Sequence, residues 1–195
     1  MIKRIILLFL TVAFLISSVI LFVYYINPYD LKTDNIRSRV FGFDIYRIPS
    51  NSMQATLLSG DYIIASKLAY LDASPLYGDV VIFNHKNKET LNKKSRYIKR
   101  VIAIAKDKIE INKGKPYVNG KIVKESYVLD NNNKTQYSLN MPITIVEDNH
   151  VYVMGDNRDN SMDSRRFGSI PIDQITDKAT FILYGVDNRS GNKIK

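Results

Sequence analysis

A chain of 195 residues accommodates one globular domain and a further short segment. Its 45% hydrophobic and 24% charged residues exclude a disordered polymer, and the absence of cysteine excludes disulfides, thiol nucleophiles and thiolate metal sites. The formal charge of +9 is spread in short clusters such as Lys93-Lys94 and Arg165-Arg166. That pattern fits a solvated basic surface or attraction to anionic headgroups and argues against nucleic acid as a partner. Two histidines, His85 and His150, are too few for a multi-histidine metal centre, so neither metal nor cofactor is expected.

In chain order, the first element is apolar. Residues 5–26 carry no charge, and about 20 helical residues cross a hydrocarbon core about 30 Å thick. Lys3 and Arg4 precede the run, which favours a cytoplasmic N-terminus. Tyr24 and Tyr25 stand where an interfacial aromatic pair would. The run exceeds the h-region of a cleaved signal peptide, and Asn27-Pro28-Tyr29-Asp30 comes after it in place of a small-x-small site. A single membrane anchor is therefore expected at 1–26, a linker or short helix at 27–42, and the remainder on the far side of the membrane.

From Phe43 onward the pattern is that of strands. Phe43-Asp44-Ile45-Tyr46-Arg47-Ile48 alternates with period two, and residues 62–65 and 79–83 are short runs rich in β-branched side chains. Residues 96–105 continue in that style. Residues 116–123 predict a hairpin, because Asn119-Gly120 suits a two-residue type I′ turn. Residues 129–140 read as an exposed loop, residues 151–154 and 180–184 as further strands, and the tail from Asp187 as frayed. No long amphipathic helix comes after the anchor. The expected fold is mainly β: a transmembrane helix, then a predominantly antiparallel sheet domain at 43–186 with a small insertion around 108–150, and a polar tail at 187–195.

Three stretches carry chemistry. In Ile48-Pro49-Ser50-Asn51-Ser52-Met53, two serines lie two apart at a strand end. Alternation would aim both hydroxyls to one side, one to attack and one to donate to an oxyanion; by itself the stretch reads first as a turn. Arg96-Tyr97-Ile98-Lys99-Arg100 is a charged island in an apolar strand. A buried lysine loses its proton more readily and can serve as a general base, while an exposed one would only snorkel. The third stretch, Gly155-Asp156-Asn157-Arg158-Asp159-Asn160-Ser161-Met162-Asp163-Ser164-Arg165-Arg166-Phe167-Gly168, is dense in polar groups suited to a fixed network. A calcium loop of the EF-hand kind needs a glycine at its sixth position and a distal glutamate, and neither fits.

Together, in this order and with Tyr77-Gly78-Asp79-Val80-Val81-Ile82-Phe83 between them, these stretches resemble the bacterial type I signal peptidases of family S26. The likeness spans about residues 48–168, and the anchor sits where that family has one. The resemblance implies a β-rich catalytic domain of the signal-peptidase type. It implies Ser52 as nucleophile, Lys99 as general base, and the Ser50 hydroxyl with the Ser52 N–H as oxyanion hole. Ser161 would orient Lys99, Asp163 and Arg165 would pair to hold their loop, and Ile48, Met53, Tyr97 and Ile98 would line pockets for small residues at −1 and −3. It implies a monomeric endopeptidase of the bacterial cell membrane, acting beyond it on the signal peptides of exported preproteins at Ala-x-Ala sites, with membrane lipid as its other partner.

The chain departs from the family pattern where Asn51 replaces a frequent glycine, Ala55 a usual proline, and Ala103-Ile104-Ala105-Lys106-Asp107 a Gly-x-Pro-Gly-Asp turn. A peptidase dedicated to one substrate, such as a conjugation pilin, and a non-catalytic tethered relative therefore stand as alternatives. A Ser-His-Asp hydrolase is a weaker one, since His85 falls in a Lys- and Asn-rich turn and His150 before a strand, and neither lies in a hydrolase motif. The lysine mechanism requires a pKa about 2–3 units below that of a free lysine.

Overall fold

An uncharged run with no polar face forms one long helix, α1 (Ile2–Ile26), three residues longer at its start than the run itself. It ends at Asn27, whose φ of 47° is left-handed and whose N–H donates to the Val23 carbonyl, a cap that asparagine tolerates. None of its residues is buried, and α1 is long and apolar enough to cross a membrane. A second, short helix, α2 (Ile36–Phe41), starts where the Asn35 side chain accepts the Arg37 N–H and stops at Gly42, φ 72°. The Asp44 carboxylate accepts from Asn35 Nδ2 (2.8 Å) and Ser38 Oγ (2.9 Å), tying this segment to itself.

The computed structural model describes residues 1–86, 94–129, 134–135 and 139–194. It divides into Met1–Asp44 and Ile45–Lys195. Lys93 and most of the loop expected at 129–140 lie outside the described residues. The strands are β1 (Phe43–Arg47), β2 (Tyr62–Ser66), β3 (Val80–Lys86), β4 (Lys94–Ile104), β5 (Lys108–Asn112), β6 (Lys115–Val118), β7 (Lys121–Ile122), β8 (Met141–Ile145), β9 (His150–Met154), β10 (Ile170–Pro171) and β11 (Ile175–Tyr184); the one-turn helix α3 (Ser164–Phe167) precedes β10.

Among the described residues they form a seven-stranded sheet, β1-β2-β11-β3-β4-β9-β10, and a four-stranded sheet, β7-β6-β5-β8. The second sheet is the small insertion. Its β6–β7 turn has Asn119 at φ 53° and Gly120 at φ 76°, the left-handed pair a type I′ turn requires.

The strands read as continuous apolar runs because both faces of the large sheet are covered. On β3, Val80 and Ile82 pack with Ile48, Met53, Leu57, Ile63 and Ala179, while Val81 and Phe83 pack on the other face with Val101, Val151, Val153 and Ile170. A third cluster joins Ile102, Tyr152 and Met154 to Ile109 and Ile111 of the small sheet and to Val146 just past β8.

Two segments differ from expectation. The tail does not fray: the Ile194 N–H donates to the Thr180 carbonyl (3.0 Å), and Asn192 and Gly191 bond the two backbone groups of Ile182. Ile194 packs on the core, a contact that composition alone could not reveal. His85 lies on β3 opposite Ser95, not in a turn.

Candidate active site

The loop from Ile48 to Asp61 is closed at its base. The Ile48 N–H donates to the Asp61 carbonyl, and the Gly60 N–H donates to the Ile48 carbonyl, both at 2.8 Å. Met53 and Leu57, each 0% exposed, root the loop in the core. Asn51 does not use a left-handed conformation; its side chain accepts the Ser59 N–H at 3.0 Å and braces the loop from within.

Register brings the other two stretches to this loop. β4 pairs with β9 through Arg100 and Met154, so the chain leaving β9 at Gly155 emerges beside Lys99. There the Asn157 N–H donates to the Ser52 carbonyl (3.1 Å) and Asn157 Nδ2 to the Asn51 carbonyl (3.1 Å). A Cβ at Gly155 would stand 2.2 Å from Ser161 Oγ and 2.5 Å from the Ser52 carbonyl oxygen. Only glycine permits this approach.

Lys99 Nζ donates to Ser52 Oγ at 2.8 Å and to the Ile98 carbonyl at 2.7 Å. Its side chain is buried, and burial lowers its pKa to about 8, against the opposing pull of Asp163 and Asp156. An amine of that pKa beside a hydroxyl can accept the hydroxyl proton near neutral pH. Ser50 Oγ donates to Ser52 Oγ at 3.4 Å. Among the described residues the Ser52 N–H has no acceptor, so an oxyanion could take it.

Asp163 accepts Arg165 Nε (2.9 Å) and Nη2 (2.8 Å) and the Gly155 N–H (3.0 Å). Burial opposes its charge, yet Arg165 and the Gly155 N–H hold its carboxyl below the usual carboxylate range. Ser161 is buried next to this pair; among the described residues its hydroxyl makes no hydrogen bond of ordinary geometry, Lys99 included, though it lies close enough to Asp163 to favour the charged carboxylate.

Further pairings close around the site that the sequence did not single out, although Arg100, Asp156 and Arg158 lie within the stretches quoted above. Arg100 forks onto Asp156 (2.9 and 2.7 Å), and Asp156 accepts the Thr56 hydroxyl at 2.5 Å, linking β4, the Gly155 loop and the serine loop. Arg158 pairs with Glu125. Charges in strand-like runs do not announce which of them are buried, so no local signal marks these partners.

A cleft of about 480 Å³ opens over Ser52 and Lys99, lined also by Tyr46, Arg47, Ile48, Pro49, Ser50, Ile82, Arg96, Tyr97, Ile98, Asn160 and Met162. Ile48, Tyr97 and Ile98, the residues expected to meet substrate, are among those lining it. Met53 does not line the cleft and packs beneath it in the core. His85 stacks on Phe167 at 4.6 Å and His150 lies beside Glu147, neither lining the cleft.

Residues 35–184 match the family model described as signal peptidase, peptidase S26. A probable signal peptidase I-1 of Synechocystis is 37% identical over 140 residues, 70% of this chain and 69% of its own. Signal peptidase I of Bacillus caldolyticus is 37% identical over 153 residues, 73% of this chain and 80% of its own. A solved signal peptidase I from Enterococcus faecalis aligns with 54% of this chain and 97% of its own, at a TM-score of 0.44 and 24% identity.

Proposed function

The chain belongs to the signal peptidases of peptidase family S26, and from that premise we propose that it is a membrane-bound serine endopeptidase that cuts signal peptides from preproteins after small residues, using Ser52 and Lys99. The observation that carries this reading is the 2.8 Å contact between a buried lysine amine and a serine hydroxyl at the floor of an apolar cleft.

In this scheme neutral Lys99 takes the Ser52 proton as Oγ attacks the scissile carbonyl. The carbonyl oxygen becomes an anion facing the Ser52 N–H and the Ser50 hydroxyl; one such donor is worth about 3–4 kcal/mol in the transition state. Protonated Lys99 then gives its proton to the leaving amine. The acyl group remains as an ester on Ser52 until a water, deprotonated by Lys99, releases it. Asp163 with Arg165 and Asp156 with Arg100 keep the Gly155 loop against the serine loop and hold Lys99 at its distance. Ser161, whose hydroxyl lies against Gly155 and Asp163, would steady the lysine once its proton moves. α1 tethers the chain to the bilayer with its N-terminus in the cytoplasm, so that the cleft meets peptides on the far side.

The test is cleavage of a preprotein bearing an Ala-x-Ala site by the full chain in lipid. Cleavage at that site, lost in both Ser52→Ala and Lys99→Ala while each variant stays folded, is the expected result. Cleavage surviving Lys99→Ala would remove the lysine from its role.

A further inference from the structure

The cleft over the serine and lysine also holds two cations. Arg47 at the end of β1 and Arg96 on β4 both line it, and both are exposed. Among the described residues no aspartate or glutamate lines the cleft. The other guanidinium groups near the site have carboxylate partners: Arg100 with Asp156, Arg158 with Glu125, Arg165 with Asp163. Among the described residues neither Arg47 nor Arg96 has one. Arg96 is nevertheless held in place, its guanidinium lying 4.9 Å from the centroid of the Tyr46 ring, which occupies the face of the group and leaves its N–H edge open.

The spacing says what part of a bound peptide they meet. Arg96 precedes Lys99 by three residues on an extended strand, about 10 Å at roughly 3.3 Å per residue. Arg47 precedes Ser50 by the same number. Ile48, Tyr97 and Ile98 lie between the arginines and the reacting pair. In the reading given above, which this inference rests on, that apolar stretch receives the small residues at −1 and −3. An extended peptide then passes the two arginines with residues about −4 to −6.

We propose that Arg47 and Arg96 are specificity determinants that select a carboxylate side chain in the substrate just N-terminal to its −3 residue. Two exposed guanidinium groups contribute a modest preference, roughly fivefold in kcat/KM, that added salt screens.

The experiment uses the full chain in detergent micelles and a series of peptides sharing one Ala-x-Ala site, with Asp, Asn or Lys placed in turn at −4, −5 and −6. Wild type is expected to cut the best-placed Asp peptide roughly fivefold faster than its Asn counterpart and the Lys peptide more slowly still, with the spread narrowing at high salt. The double variant Arg47→Gln/Arg96→Gln should lose the ranking, and Arg47→Glu/Arg96→Glu should invert it. Because each ranking is taken within one variant, a general loss of activity does not imitate inversion. Equal cleavage of the three peptides by wild type, or an Asp preference that persists in the Glu variant, overturns the proposal. If wild type cuts no peptide, the endopeptidase reading itself falls and this inference with it.

Discussion

Lys99 shows what burial does to one residue. Its amine sits against a hydroxyl and a carbonyl, and the cost of a charge there lowers its pKa to about 8. In the proposed mechanism the deprotonated amine is the active form, so kcat/KM should climb about tenfold per pH unit below that value and level off above it. A rate flat from about pH 6 to 9 would contradict the assignment. The stability linkage has the matching sign. The folded pKa lies below the free value of 10.5, so the native state binds fewer protons between about pH 8 and 10.5, and this group's contribution to stability improves as pH rises through that window. The lysine's identity and its apolar neighbours were legible in sequence, but the depth of its burial was not. At Lys106, φ is 72°, at the place where the family pattern has a glycine. The turn survives because Asp107 accepts the Ile104 N–H at 2.8 Å and the Lys106 N–H reaches the Val146 carbonyl, and these bonds hold the left-handed residue in place.

Among the elements, the C-terminal segment departs most from its sequence. Its polar composition suggests a loose end, yet Arg189 donates Nη1 to the Thr56 carbonyl (2.8 Å) and Nη2 to Asp61 (2.7 Å), reaching the serine loop. Asp61 is 0% exposed and also accepts the Val186 and Leu58 N–H groups. Removing its cation leaves a buried carboxylate short of a partner. Arg189→Ala should therefore destabilise the protein by about 2 kcal/mol, seen as a lowered urea midpoint, and slow cleavage as Ser52 loses its support. Arg189→Lys should recover part of both. A wild-type midpoint in Arg189→Ala would show that the segment does not brace the loop. The strands β3 and β11 are legible in their β-branched runs. β5 is not among the expected strands although Lys108-Ile109-Glu110-Ile111-Asn112 alternates with period two, nor is β8, whose Met141, Ile143 and Ile145 alternate but whose Pro142 argues against a strand.

At the scale of the whole molecule, residues from Ile45 onward carry the clusters around Ile48, Val81 and Ile109, which suffices for independent folding. A chain beginning at residue 35, where the family match starts, should therefore fold and cut soluble peptides in detergent. It should fail to float with lipid vesicles, whereas the full chain does. Equal flotation of both would move membrane attachment away from α1. The sequence by itself determined the apolar helix, the β character of the chain beyond it, and the three stretches on which the chemistry depends, because periodicity, turn chemistry and motif order are local properties of the chain. Only the tertiary structure decided that Met53 lies under the cleft, that Asp156 meets Arg100, that the tail clasps the serine loop, and that Arg47 and Arg96 line the same cleft. Those depend on strand register and on which charges lose their water, and both are set between residues far apart in the chain.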